Sequence, residues 1–177
     1  MRIAIIGAGC SGLSAIKQLA AAGLKDIVCY EKNEQIGGNW VYTANSSHSS
    51  ISKTTHVISS KAMSQFSDFA MPEDYPDYPS HKQILAYFQA YARHFQLEKY
   101  IHFNATVLHV EKTTNERWRL SLCDGTQTEF DYLIVANGHH AVPRHPSCKT
   151  DFSGKYLHAH EFKTNEAIDL RKDPMAL

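Results

Sequence analysis

Apolar residues open the chain as an unbroken block, Ile3-Ala4-Ile5-Ile6, closed by Gly7. A short continuous run of this kind predicts a strand buried on both faces. From Ser11 to Ala22 the pattern changes, with Leu13, Ile16, Leu19 and Ala20 at helical spacing, and Gly23 is the predicted stop. Asp26–Tyr30, reading DIVCY, predicts a second strand that ends at Glu31. Strand, helix and strand follow one another as in a βαβ unit.

Further on, Ile84, Leu85, Phe88, Tyr91, Ala92 and Phe95 predict an amphipathic helix from Ser80 to Gln96. Ser80 is its expected N-cap, with Gln83 placed for a capping box. Ile101–Phe103 and Thr106–Lys112 read as strands. RWRLSLCDGTQTEFDYLIVANG reads as a meander turning at Asp124-Gly125. Its last strand, Tyr132–Ala136, is apolar throughout and is expected to join the buried parallel sheet. Residues 37 to 80 are rich in Ser, Thr, Asn, Asp and Pro, with short strand-like pieces such as Thr55–Ser59; long irregular stretches of this kind commonly cover a site. Residues 139 to 177 are rich in His and Pro and show no clear period.

Composition narrows the class. The 177 residues suit one domain and are 43% hydrophobic and 20% charged, a globular profile. Eighteen Lys and Arg balance eighteen Asp and Glu, so charge gives no reason to expect nucleic acid or an anionic membrane as a partner. No apolar run has the length of a signal peptide or a membrane span, and a cytoplasmic protein is expected. Cys10, Cys29, Cys123 and Cys148 form no C-x-x-C pair, which argues against zinc and disulfides. Cys10 and Cys29 lie in apolar segments and are expected to be buried thiols. Of the eleven histidines, the pairs His139/His140 and His158/His160 stand out. Neighbours on an extended chain point to opposite faces. His158 and His160 would share a strand face, but no carboxylate or cysteine cluster accompanies them, so no metal is expected.

Gly7-Ala8-Gly9-Cys10-Ser11-Gly12 is G-x-G-x-x-G between the first strand and the first helix. Gly7 permits the turn, Gly9 lets a pyrophosphate approach the backbone, and Gly12 lets helix and strand pack closely. The N–H groups of the helix start, including those of Cys10 and Ser11, face the anion. Glu31, 19 residues after Gly12, is placed to accept ribose hydroxyls. A carboxylate there repels a ribose 2′-phosphate, which disfavours NADP at this site and leaves NAD and FAD.

The next stretch, EKNEQIGGNWVY, resembles the flavin-containing monooxygenases, members of the two-dinucleotide-binding flavoproteins. In that family a G-G-x-W element follows the ribose-binding glutamate. Ser59–Phe95 and Phe130–His140 are similar to further family segments. Phe152-Ser153-Gly154-Lys155-Tyr156-Leu157-His158-Ala159-His160-Glu161-Phe162 satisfies the family motif F-x-G-x-x-x-H-x-x-x-[YF]. Baeyer–Villiger relatives usually carry Trp-Pro where this chain has Phe162-Lys163, which favours the heteroatom-oxidising branch. Together the matching stretches run from Met1 to about Ile168.

The resemblance implies an α/β fold: a Rossmann-like FAD-binding domain with a parallel sheet plus an antiparallel meander. It places Gly7, Gly9 and Gly12 on the pyrophosphate, Glu31 on the ribose, Gly38, Asn39 and Trp40 beside the FAD, and the Val107 backbone at the adenine. Phe152, Gly154, His158 and Phe162 belong to the motif that joins the FAD and NADPH domains. The implied chemistry is carried by the flavin, with no catalytic side chain named. NADPH reduces FAD, O2 adds to give a C4a-hydroperoxyflavin, and a soft nucleophile, an amine or a sulfide, takes one oxygen.

Ile58 is a departure, because the family often has Asn there. Isoleucine cannot donate a hydrogen bond, so either Ser59 or Ser60 substitutes or the oxygenating step differs. The second G-x-G-x-x-G, for NADPH, is absent. Residues 1–150 are therefore expected to be the FAD-binding domain and 151–177 the start of a linker to a further domain. Little activity is expected of this portion alone. The alternatives are a non-catalytic dinucleotide-binding or interaction module, or another FAD/NAD(P)-dependent oxidoreductase.

Overall fold

A computed structural model describes residues 1–45, 50–147 and 152–167. Cys148 and Ile168 lie outside the described residues. Strand β1 (Ile3–Ile6) leads through the glycine turn into helix α1 (Cys10–Ala21) and strand β2 (Ile27–Tyr30). Gly23, at φ 84°, takes the left-handed conformation that ends the helix. The long excursion after β2 carries a 3-10 turn (Gly38–Trp40), helix α2 (Lys61–Ser64) and helix α3 (His81–His94). Strands β3 (Ile101–His102), β4 (Val107–Lys112), β5 (Trp118–Leu122), β6 (Gln127–Phe130) and β7 (Tyr132–Val135) follow.

Two sheets result. The first is parallel, in the order β3-β2-β1-β7, with Ile3 opposite both Ile27 and Tyr132. The second is antiparallel, β4-β5-β6, and turns at Asp124-Gly125, where the Asp124 carboxylate accepts the Thr126 N–H. The fold is α/β, and the expected βαβ unit and meander are both present.

The unbroken apolar strands are explained by what covers them. Ile5, Ile27 and Cys29 face α1 and α3, against Leu13, Ile16, Ile84, Tyr87 and Tyr91. Ala4 and Tyr30 face the second sheet, against Leu120, Leu122 and Phe130. Strand β7 differs from expectation. It is an edge strand, and Tyr132 and Val135 remain 57% and 62% exposed. Its apolar run reflects Leu133 and Ile134 packing on opposite sides, with the outer positions uncovered among the described residues.

The excursion is held by carbonyl bonds more than by strands. Thr55–Ser59 forms only one bridge, His56 to Ser80, in place of a strand. Lys61 Nζ donates to the carbonyls of Pro72, Glu73 and Tyr75 at 3.3, 2.9 and 2.9 Å. At the start of α3, Gln83 Oε1 accepts the Ser80 N–H at 2.9 Å, the expected capping contact.

Candidate functional site

Strand β1 is flanked by β2 on one side and β7 on the other, so the chain reverses direction of winding at β1. In open parallel sheets ligands bind at such a switch point, beyond the carboxyl ends of the strands. Gly7 to Gly12 lie there. Gly7, at φ 100°, abuts Ala136 at the end of β7, and a side chain would run into the Ala136 carbonyl. A methyl on Gly12 would collide with the Gly7 carbonyl, which sets how closely α1 packs on the turn.

Gly9 is different. Its backbone is extended (φ −78°, ψ −171°), and the nearest atom to a built Cβ is the Gly38 Cα at 3.7 Å. The space above it is open on every other side, a cradle that a side chain would fill. Leu13 N–H bonds to the Gly9 carbonyl at 3.0 Å, which begins the helical ladder. The N–H groups of Cys10, Ser11 and Gly12 belong to the first turn, whose donors have no partner within the helix, and they carry its positive end.

Glu31 closes β2 and is 4% exposed. Its Oε2 accepts the Ala8 N–H at 2.7 Å and its Oε1 the Asn33 N–H at 2.9 Å. A carboxylate has about four acceptor positions, so roughly two remain for a ligand hydroxyl. Its backbone is fixed on both sides: Glu31 N–H bonds to the His102 carbonyl, and Ala105 N–H bonds to the Glu31 carbonyl, both at 2.9 Å. Val107, two residues past Ala105, therefore starts β4 close to this corner.

Gly37 and Gly38 bring the third element in. Gly37 N–H bonds to the Ala8 carbonyl at 3.2 Å, and both residues have positive φ, 138° and 55°. A Cβ on Gly38 would lie 3.2 Å from the Gly9 Cα. The two glycine elements thus meet backbone to backbone.

Past Trp40 a cavity of about 550 Å³ opens between Asn39, Trp40, Ser50, Ile51, the loop after β7 (His139 to Arg144) and His158–His160. The histidine pairs depart from expectation. His140 has φ 63°, so the chain is not extended there, and the His139 and His140 rings stack edge-on with centroids 4.1 Å apart. His158 and His160 lie in a turn, where His160 N–H bonds to His158 Nδ1 at 3.0 Å. Among the described residues, no group of three or more His, Cys, Asp or Glu could hold a metal. Cys10 is also not as expected: it is exposed at the mouth of the loop, while Cys29 is buried. Burial, together with the nearby Glu31 charge, pushes the Cys29 thiol up to about 12.

Comparison with known proteins decides the family. A family model described as FMO-like, flavin-binding monooxygenase-like, matches residues 1–172. The chain belongs to this flavin-binding monooxygenase-like family. Flavin-containing monooxygenase 5 of Rattus norvegicus is 39% identical over 92% of the chain and 33% of its own length. The N-oxide-forming dimethylaniline monooxygenase 2 of Cavia porcellus is 38% identical over 92% of the chain and 32% of its own length. The chain therefore spans about a third of the length of these curated relatives. Among solved structures, S-allyl-L-cysteine S-oxygenase from Allium sativum matches with a TM-score of 0.83 at 26% identity, over 94% of this chain and 43% of that one. The flavin-containing monooxygenase from Stenotrophomonas maltophilia matches with a TM-score of 0.78 at 27% identity, over 92% and 46%.

The monooxygenase-family motif is not gathered at one point. His158 lines the cavity with Asn39 and Trp40, whereas the Phe152 ring folds back over Gly154 and is 44% exposed. Phe162 is half-buried and closes a turn through its N–H to the Ala159 carbonyl. Ile58, at the family's usual Asn, is 98% exposed. Of its neighbours, Ser59 shares a hydrogen bond with Ser64 at 2.6 Å, and Ser60 stands at the N-cap position of α2 with no side-chain capping bond. Sequence reasoning passed over Ser50, Ile51 and Arg144 as cavity residues and Lys163 as a buried one. Ser50, Ile51 and Arg144 stand in stretches with no periodic or motif signal, and Lys163 follows the family motif directly, which says nothing of its burial. Among the described residues no helix is long and apolar enough to cross a membrane.

Proposed function

We propose that this chain is the FAD-binding portion of an NADPH-dependent flavin monooxygenase that oxygenates the nitrogen or sulfur of a small soft nucleophile. Residues 1–150 form the flavin-holding part and residues 151–177 begin the connection to the NADPH-binding part. Family membership supports the flavin, and the open position at Gly9 supports a dinucleotide. A pyrophosphate needs close access to backbone N–H groups, and Gly9 leaves that access clear beside the first turn of α1.

The remaining residues divide the binding task. Gly7 and Gly12 hold the turn and helix in place, and Cys10, Ser11 and Gly12 present amide protons to the phosphates. Glu31 keeps its carboxylate oriented through Ala8 and Asn33 and uses its spare acceptor positions on the ribose. The Val107 backbone borders the adenine. Gly38, Asn39 and Trp40 lie along the flavin and lead it towards the cavity. The chemistry supplied by bound FAD, once reduced by NADPH, is activation of O2 for transfer of one oxygen atom to an amine or sulfide. The protein's part is to orient the ring and keep water from it.

The test is titration of the protein with FAD, followed by flavin absorbance and fluorescence. Saturable binding that Gly9→Ala weakens supports the reading. Absence of saturable binding overturns it. Oxygen uptake driven by NADPH and dependent on a dialkyl sulfide tests the oxygenation.

A further inference from the structure

Lys163 is 5% exposed, an uncommon state for a lysine. Its Nζ donates to the Ser50 carbonyl at 3.1 Å and to the Ser50 hydroxyl at 3.0 Å. Its carbonyl accepts the Lys53 N–H at 2.8 Å. The next residue in that short segment, Ile51, donates its N–H to the Asn39 carbonyl at 3.0 Å. On the far side, the Lys53 carbonyl lies 3.1 Å from His81 Nε2 at the start of α3. Lys163, just past the family motif, thus holds Ser50 through its Nζ and Lys53 through its backbone carbonyl, and Ile51 between them bonds to the Gly38–Trp40 turn.

We propose that Lys163 is a positioning residue for the flavin site: it fixes residues 50–53 and, through Ile51, sets where Asn39 and Trp40 stand. This rests on the flavin reading above. Residues 50–53 have no strand or helix of their own among the described residues, so their place depends on outside bonds. Ser50 and Ile51 form one wall of the cavity and His158–His160 another, and Lys163 joins the two walls directly. Burial disfavours the ammonium form and draws the lysine below its ordinary range. The bonds to Ser50 help to keep a charged group in such surroundings, so removing them loosens the segment.

The test uses Lys163→Met and Ser50→Ala and two readouts. The first, without cofactor, is hydrogen exchange at the Ile51 and Lys53 amides. The second is FAD affinity and the shape of the bound flavin's visible spectrum. Lys163→Met is expected to speed exchange at both amides and weaken FAD about tenfold, the size of one lost charged hydrogen bond. The bound spectrum should move towards that of free flavin, while exchange in α1 and β1 stays as in the wild type. Ser50→Ala, which keeps the carbonyl acceptor, is expected to give a smaller change in the same direction.

Affinity and spectrum unchanged in Lys163→Met overturn the proposal. So does exchange that rises equally in β1, α1 and residues 50–53, because that marks a loss of global stability. If the wild type takes no FAD, the functional reading fails, and the amide exchange alone decides whether Lys163 holds the segment.

Discussion

The Glu31 carboxylate takes the Ala8 amide proton at 2.7 Å, tying the end of β2 to the middle of the glycine turn. The acidic residue therefore shapes the loop before any ligand arrives. Glu31→Ala leaves the N–H groups of Ala8 and Asn33 without this acceptor, at a cost of about 2 kcal/mol. Urea denaturation should show that loss together with weaker FAD binding. A stability within ~0.5 kcal/mol of wild type would contradict the structural role.

The three motif glycines separate into two kinds. Gly12→Ala places a methyl inside the Gly7 carbonyl and is expected to unfold the protein or shift α1. Gly9→Ala meets only ordinary contact with Gly38 at 3.7 Å, in a backbone conformation alanine adopts freely. It should fold like the wild type yet bind FAD about tenfold or more weakly. Circular dichroism and FAD titration of the pair check this. Equal losses of fold in both variants would refute the distinction.

Thiol reactivity should divide in the same way as exposure. Cys10 and Cys123 are exposed, whereas Cys29 is buried, with its thiol pushed up to about 12. Site-resolved alkylation at neutral pH should label Cys10 and Cys123 rapidly and Cys29 only on unfolding. Bound FAD should protect Cys10 and leave Cys123 unchanged. Protection of neither would place the dinucleotide elsewhere.

His81 gives the acid side of the stability profile. Burial is the main cause holding it below its ordinary 6.5; the Lys53 carbonyl pulls the other way, and the Lys82 and His56 charges add to the lowering. A group lowered on folding contributes stability that is complete above its unfolded value and is lost as pH falls through the folded one. Stability should therefore decline as the pH drops below 6.5. His81→Gln should flatten that part of the curve relative to wild type. An unchanged slope would assign the acid loss to other groups.

Much of this was legible in the sequence because the relevant signals are local. The apolar block of β1, the spacing in α1 and α3, the Ser80–Gln83 cap and the Asp124-Gly125 turn each act within a few residues. Where the reading failed, distant contacts decided the outcome. Cys10 sits in an apolar stretch, yet it opens α1 on the solvent side. The burial of Lys163 depends on Ser50, 113 residues away, and a buried lysine reads in sequence like any other. Residues 37 to 80 resisted because side-chain bonds to carbonyls, such as those of Lys61, replace regular pairing there. The contacts among the candidate site residues were the least visible. Nothing in G-x-G-x-x-G says that Gly9 will meet Gly38.

Strand β7 has a colloidal consequence. Among the described residues no strand pairs with its outer rim, and two apolar side chains there, Tyr132 and Val135, stand uncovered. Such a rim is a template on which another polypeptide can add in extended form. Crowding of molecules then favours sticking, and a soluble preparation depends on something sheltering that side of the sheet.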